Sequence, residues 1–135
     1  MEAVQPMVVL VILAVTDLGR AVAFYRAAFG FAQLVDVPVY AELQAAPGLR
    51  LGLYARDGFA RNVGGAASCS PAQGGVTATE LYLHVPDPAA ASAAVIAAGG
   101  RLLSPLAPRD WGDEAAYHAD PDGNVVVVAR PLRRA

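Results

Sequence analysis

The chain has 135 residues, of which 56% are hydrophobic and 16% charged. That balance supports a buried core and excludes an intrinsically disordered chain. A formal charge of −2 argues against a nucleic-acid binder that works through phosphate attraction.

Val8–Val15 (VVLVILAV) is an unbroken apolar run rich in β-branched residues, which predicts a central strand. Thr16-Asp17 offers an N-cap for a helix over Leu18–Phe29, whose Leu18, Val22, Tyr25 and Phe29 recur at helical spacing. Gly30 suits the position just past its end. Strands are expected over Phe31–Val37 and Val39–Leu43, with Pro38 between them on an edge or bulge. After the turn at Pro47-Gly48, Leu49–Tyr54 alternates like a half-buried strand. Arg56–Val76 is rich in Gly, Ala, Ser and Pro and reads as a linker or a loop over a pocket. Thr79–Val85 is again strand. Asp87 can cap a helix over Ala89–Ala98 with Pro88 at its first position, and Gly99-Gly100 ends it. A strand over Arg101–Leu106 and a loop over Ala107–Glu114 lead to the last hairpin, Tyr117–Ala129 (YHADPDGNVVVVA). Its turn, Asp120-Pro121-Asp122-Gly123-Asn124, uses the fixed φ of proline and the freedom of glycine.

Cys69 is the single cysteine, so neither an internal disulfide nor a cysteine-built zinc site can form, and it reads as a bystander thiol. Met7–Val15 is too short for a membrane span, and no basic segment or export cleavage pattern opens the chain. A cytoplasmic protein with neither nucleic-acid nor membrane partners is the expectation.

The two halves repeat the same order of strand, capped helix, glycine stop and three strands. A shift of seventy positions superposes Leu13 on Leu83, Val15 on Val85, Asp17 on Asp87, Ala21 on Ala91 and Gly30 on Gly100. Each match has its own structural reason, so their common offset points to a duplication. The expected fold is α+β, with two tandem βαβββ modules forming a curved mixed sheet around a cleft. Module 1 covers about 7–56 and module 2 about 77–132, joined by a linker over about 57–76.

On LAVTDLGRAVAFYRAAFGF, YHADPDGNVVVVA and the duplication, the chain resembles the vicinal oxygen chelate superfamily. This group includes glyoxalase I, bleomycin-resistance proteins, fosfomycin-resistance enzymes and extradiol dioxygenases. The resemblance implies a scaffold that hosts several activities, and it implies a homodimer. Metal-using members have four ligand positions, which counting from the motifs puts at Leu10, Gly52, Glu80 and Val127. Three of these have no side-chain donor, and a divalent ion needs several oxygen or nitrogen ligands. No metal and no cofactor are expected. The histidines do not replace the site. Glu80 and His84 share a strand face roughly 13 Å apart at the usual rise per residue, and His118 is out of phase with Tyr117 and Ala119. Both histidines read first as hydrogen-bonded structural or surface residues.

A cleft without a metal holds its guest by shape and a few polar groups. The candidates to line it are Glu80, Tyr82 and His84, which share one face, with Arg50, Tyr54, Tyr40 and Glu42 from the first module. Trp111 and Tyr117 beside the last hairpin could stack on a planar ligand. Arg50 could pair with Glu80, or Glu80 could stand ready as a base. Tyr54 and Tyr117 equally suit ordinary packing, and Arg50 and Glu42 equally suit an exposed sheet. The leading expectation is a metal-free binder of a small hydrophobic or aromatic molecule, similar to the bleomycin-resistance branch. An acid–base enzyme using Glu80 or His84 comes second, and a metal-dependent lyase or dioxygenase last.

Overall fold

A computed structural model describes residues 2–65 and 74–132; Cys69 lies outside them. The described chain forms two compact units. One holds the chain up to Leu18 and from Phe31 to Gly65; the other holds Gly19–Gly30 and everything from Gly74 onward.

The first unit is a four-stranded mixed sheet. Its strands are β1 (Val9–Val15), β2 (Ala32–Val37), β3 (Tyr40–Ala46) and β4 (Leu49–Ala55), in the order β1-β4-β3-β2. β1 runs parallel to β4, and the other pairs are antiparallel. The expected central strand is therefore an edge strand in its own sheet. Its early residues are open: Val9 is 50% exposed and Leu10, Val11 and Ile12 each 39%. An apolar run reports a preference for extended backbone, and it cannot report which edges are paired. Pro38 also departs from expectation. It lies with Val39 in the turn between β2 and β3, where its missing N–H costs no ladder bond. The bulges fall instead between Gln33 and Val35 and between Gln44 and Ala46. Part of the expected linker is helical: α2 (Arg56–Asn62) follows β4 directly.

The second unit repeats the architecture. β5 (Glu80–His84), β6 (Arg101–Pro108), β7 (Asp113–Ala119) and β8 (Val125–Pro131) are ordered β5-β8-β7-β6, with β5 parallel to β8. β6 and β7 are longer than the sequence suggested, which shrinks the expected loop over Ala107–Glu114 to the four residues 109–112. Two helices belong to this unit, α1 (Leu18–Phe29) from its second residue on and α3 (Pro88–Ala97). Asp87 caps α3 as expected, its carboxylate accepting from the Ala90 N–H at 3.1 Å.

The buried residues of α1 are Ala21, Phe24, Tyr25 and Ala28. That stripe is rotated from the expected Leu18, Val22, Tyr25, Phe29 face, because the helix docks by its Phe24-Tyr25 pair. The Tyr25 hydroxyl donates to Asp120 at 2.6 Å. Gly100 accepts the approach of Phe24, since a Cβ there would stand 3.2 Å from the ring and 2.7 Å from Val95. Asp120 in turn holds the β7–β8 turn: its carboxylate accepts from the N–H groups of Asp122 and Asn124 and from the Asn124 amide. Gly123 closes the corner at φ +84°.

Strand periodicity divides β7 and β8 between two faces. His118, Ala116, Val126 and Val128 are buried on the side of α3. Ala115, Tyr117, Val127 and Ala129 lie on the other face, in register with Tyr82 and His84 of β5.

Candidate functional site

That other face of the second sheet has a dry floor. Ala115, Val127 and Ala129 are fully buried, with Tyr82, Tyr117 and Val125 packed against them. Asp113 is the polar centre above it. The Tyr82 hydroxyl donates to Asp113 Oδ2 at 2.6 Å, and His84 Nε2 lies 3.1 Å from the same oxygen. A carboxylate can only accept, so His84 Nε2 carries the proton and its Nδ1 lone pair is left free in the neutral ring. The indole N–H of Trp111 donates to the Tyr82 oxygen at 2.8 Å. The order of the chain is thus Trp111, Tyr82, Asp113, His84. Asp113 is nearly buried while the His84 side chain is 56% exposed, so the acid positions a ring that solvent and ligands can reach. Burial, helped by the bond to Asp113, pushes the Tyr82 phenol above its usual range, against the opposing bond from Trp111.

Tyr117 stands in register with Val127 and so shares this face. The Arg109 guanidinium lies over its ring, 4.9 Å from the centroid. Arg109 is fixed by bonds to the Ala115 and Pro105 carbonyls and the Ser104 hydroxyl. The Tyr117 phenol is raised by burial first and by the Glu80 charge second, with Arg109 opposing. Glu80 itself is exposed at the start of β5.

The first sheet gathers the other nominated residues. Tyr40 pairs with Tyr54, Glu42 with Gly52 and Gln44 with Arg50, so all share one face. The Tyr40 hydroxyl donates to Glu42 at 2.8 Å, and Arg50 bonds the second oxygen of Glu42 at 2.9 Å. Arg50, one of whose two roles was to pair with Glu80, forms an ion pair with Glu42 of its own sheet. Glu42 is buried, so it is not the exposed sheet residue the sequence also allowed. Burial, followed by the bond to Glu42, pushes the Tyr40 phenol up to about 12. Tyr54 packs edge-on against Tyr40 and against Phe59 of α2.

His118 is structural. It is fully buried, its Nδ1 donates to the Val126 carbonyl at 3.0 Å, and its Nε2 accepts from the Ser92 hydroxyl at 2.7 Å. Burial lowers its pKa. A separate surface cavity of about 560 Å³ lies among Pro86, Glu114, Arg130, Pro131 and Leu132, and none of the nominated residues lines it.

Asp113 and Arg109 escaped the sequence reading. The signal for Asp113 was present, because DEAAYHA places it in phase with Ala115 and Tyr117. Assigning it to a loop hid that phase.

The chain matches the sequence model of the Glyoxalase/Bleomycin resistance protein/Dioxygenase superfamily over residues 7–128. It belongs to this superfamily. Solved structures agree. A glyoxalase-related enzyme from Fulvimarina pelagi is 26% identical, with 93% of this chain and 88% of that one covered at a TM-score of 0.79. TioX from Micromonospora sp. ML1 is also 26% identical, covering 94% and 100% at 0.68. A lactoylglutathione lyase from Agrobacterium tumefaciens is 22% identical, covering 92% and 93% at 0.68, and shows the fold alone. No curated protein matches.

The superfamily's metal can be tested against the residues here. Leu10 and Gly52 share one face of β1 and β4, and Glu80 and Val127 share one face of β5 and β8. The counted positions are thus coherent within each sheet, yet only Glu80 offers a donor. Position 52 is also closed: a Cβ there would come to 2.6 Å from the Tyr40 hydroxyl and 2.8 Å from Ile12. Among the described residues, no group of three or more His, Cys, Asp or Glu could hold an ion. The donor set does not fit a divalent cation.

Proposed function

We propose that this protein binds a small hydrophobic or aromatic molecule on the open face of its second sheet, without a metal ion. The observation that carries the reading is the Trp111–Tyr82–Asp113–His84 chain set over an apolar floor. Fixed polar groups around a dry surface are what a small-molecule site needs for orientation and affinity. Likeness to the bleomycin-resistance branch supports the same reading. The test is a thermal-shift screen of small aromatic compounds on chelator-treated protein. A ligand at one hundred times its Kd adds about 2.7 kcal/mol of stability. Hits that vanish in Trp111→Ala support the site, and hits that need an added divalent ion sink the metal-free part.

His84 favours a second reading, acid–base catalysis. Asp113 holds Nε2 of a ring that is 56% exposed and leaves Nδ1 to accept, the arrangement of a general base. Once a substrate is found, turnover that survives His84→Gln removes this reading. A homodimer in the cytoplasm completes the proposal, supported by the exposed apolar stretch of β1. A light-scattering mass of one chain would exclude the dimer.

A further inference from the structure

We infer that the molecule held on this face carries a carboxylate, and that Arg109 receives it. This deepens the binding reading above and rests on it. Arg109 is a half-buried cation that forms no ion pair among the described residues. Neutral acceptors hold it instead. Its Nε and Nη2 donate to the Ala115 carbonyl, and Nη2 also donates to the Ser104 hydroxyl and the Pro105 carbonyl. Nη1 has no hydrogen-bond partner among the described residues, so its hydrogens are left for a guest. The backbone puts this side chain on the right face. Ala107 pairs with Ala115, and the Arg109 N–H donates to the Asp113 carbonyl, so Arg109 follows Ala107 onto the side of Asp113, Ala115 and Tyr117. There its guanidinium lies over the Tyr117 ring, 4.9 Å from the centroid.

The acidic groups of the face stand apart from this cation. Asp113 lies at one end of the sheet, level with Pro131, and its Oδ2 already holds Tyr82 and His84. Glu80 lies at the other end, level with Val125, and is exposed, so water and salt screen it. Tyr117, beneath the Arg109 charge, pairs with Val127 between those ends. A neutral guest spread over the floor of Ala115, Val127 and Ala129 would strip water from Nη1 and return nothing, which is costly for a charged donor. A carboxylate returns a charge-assisted bond at that nitrogen. One free nitrogen suits one carboxylate oxygen, whereas a phosphate dianion needs more donors than Nη1 supplies.

Four probes with one ring system test this: 1-naphthoate, 1-naphthalenemethanol, 1-naphthylmethylamine and 1-naphthyl phosphate. Binding is measured by calorimetry. The site is read by NMR from the indole N–H of Trp111, the single tryptophan, and from the Arg109 guanidinium N–H groups. The expected result is that naphthoate binds about tenfold tighter than the alcohol, that the amine is weakest, that the phosphate gains nothing over naphthoate, and that naphthoate moves both signals. Arg109→Gln should lower naphthoate to the affinity of the alcohol and leave the alcohol unchanged, whereas an Arg109 that only staples the loop would weaken both alike. The guanidinium readout uses the parent protein, so it stands even where the variant loosens that loop. If the alcohol, the amine or the phosphate binds better than naphthoate while the indole signal moves, the carboxylate inference fails and the binding reading stands. Guanidinium signals that ignore bound naphthoate overturn it in the same way. If no probe binds or moves the indole signal, both fall.

Discussion

The Tyr25 hydroxyl reaches Asp120 across ninety-five positions of chain and closes a 2.6 Å hydrogen bond in a buried setting. This one contact fastens α1 to the turn that joins β7 and β8. Burial and the neighbouring Asp120 charge hold the Tyr25 phenol well above its usual range, so it remains a donor at every working pH. Tyr25→Phe should cost about 1–3 kcal/mol, the range for removing a partner from a buried polar group. Asp120→Ala should cost more, because the Asp122 and Asn124 N–H groups lose their acceptor as well. Urea unfolding measures both. A Tyr25→Phe variant as stable as the parent would show that the contact fastens nothing.

His118 should give the protein an acid-side slope in stability. Burial lowers its folded pKa below the unfolded value of about 6.5. Its contribution is then complete above that value and is lost as pH falls toward the folded pKa, because the unfolded chain binds the proton more readily. Stability should drop as pH falls below about 6.5 in the parent and drop less in His118→Gln. Equal slopes in the two proteins would assign the effect elsewhere.

Gly52 should tolerate no side chain. A Cβ there would collide with the Tyr40 hydroxyl at 2.6 Å and with Ile12 at 2.8 Å. The hydroxyl is held by Glu42 and the Tyr40 ring packs on Tyr54, so neither yields freely. Gly52→Ala should destabilise by about 1–3 kcal/mol, as overpacking does. Tyr40→Phe should recover part of that loss in a double-mutant cycle. Additive single effects would mean that the two positions do not compete for space.

Alkaline titration should count Tyr40 among the late-ionising tyrosines, with Tyr25, Tyr82 and Tyr117. The Tyr40 phenol is pushed up to about 12 by burial and by Glu42. A folded value above the unfolded one gives stability that is present below about pH 10 and is lost as pH rises toward 12. Absorbance at alkaline pH should lose one late-ionising tyrosine in Tyr40→Phe, and in Glu42→Gln one of them should ionise earlier. An unchanged titration curve in Tyr40→Phe would contradict this.

The residues of the site differ in how readable they were. Glu80, Tyr82 and His84 were placed on one face correctly because a strand's period of two is local. The same rule would have added Asp113 had β7 been started at its true first residue. Arg109 carries no such signal: its bonds to Pro105, Ala115 and Ser104 arise from how the short loop between β6 and β7 folds back. Arg50 was legible as a charged residue on the Gly52 face, but its choice of Glu42 depends on the pairing of β3 with β4.

Read alone, the amino-acid order determined the duplication, the succession of strands and helices apart from α2, the superfamily, and the lack of donors at Leu10, Gly52 and Val127. These follow from periodicity, capping and turn chemistry, which act between near neighbours in the chain. Only the tertiary structure decided that α1 docks on the second unit through Tyr25, that Tyr40 fills the space beside Gly52, and that Asp113 joins Tyr82 to His84. Those contacts join positions 95, 12 and about 30 apart. Strand order and helix docking bring them together, and burial of the whole chain selects those arrangements.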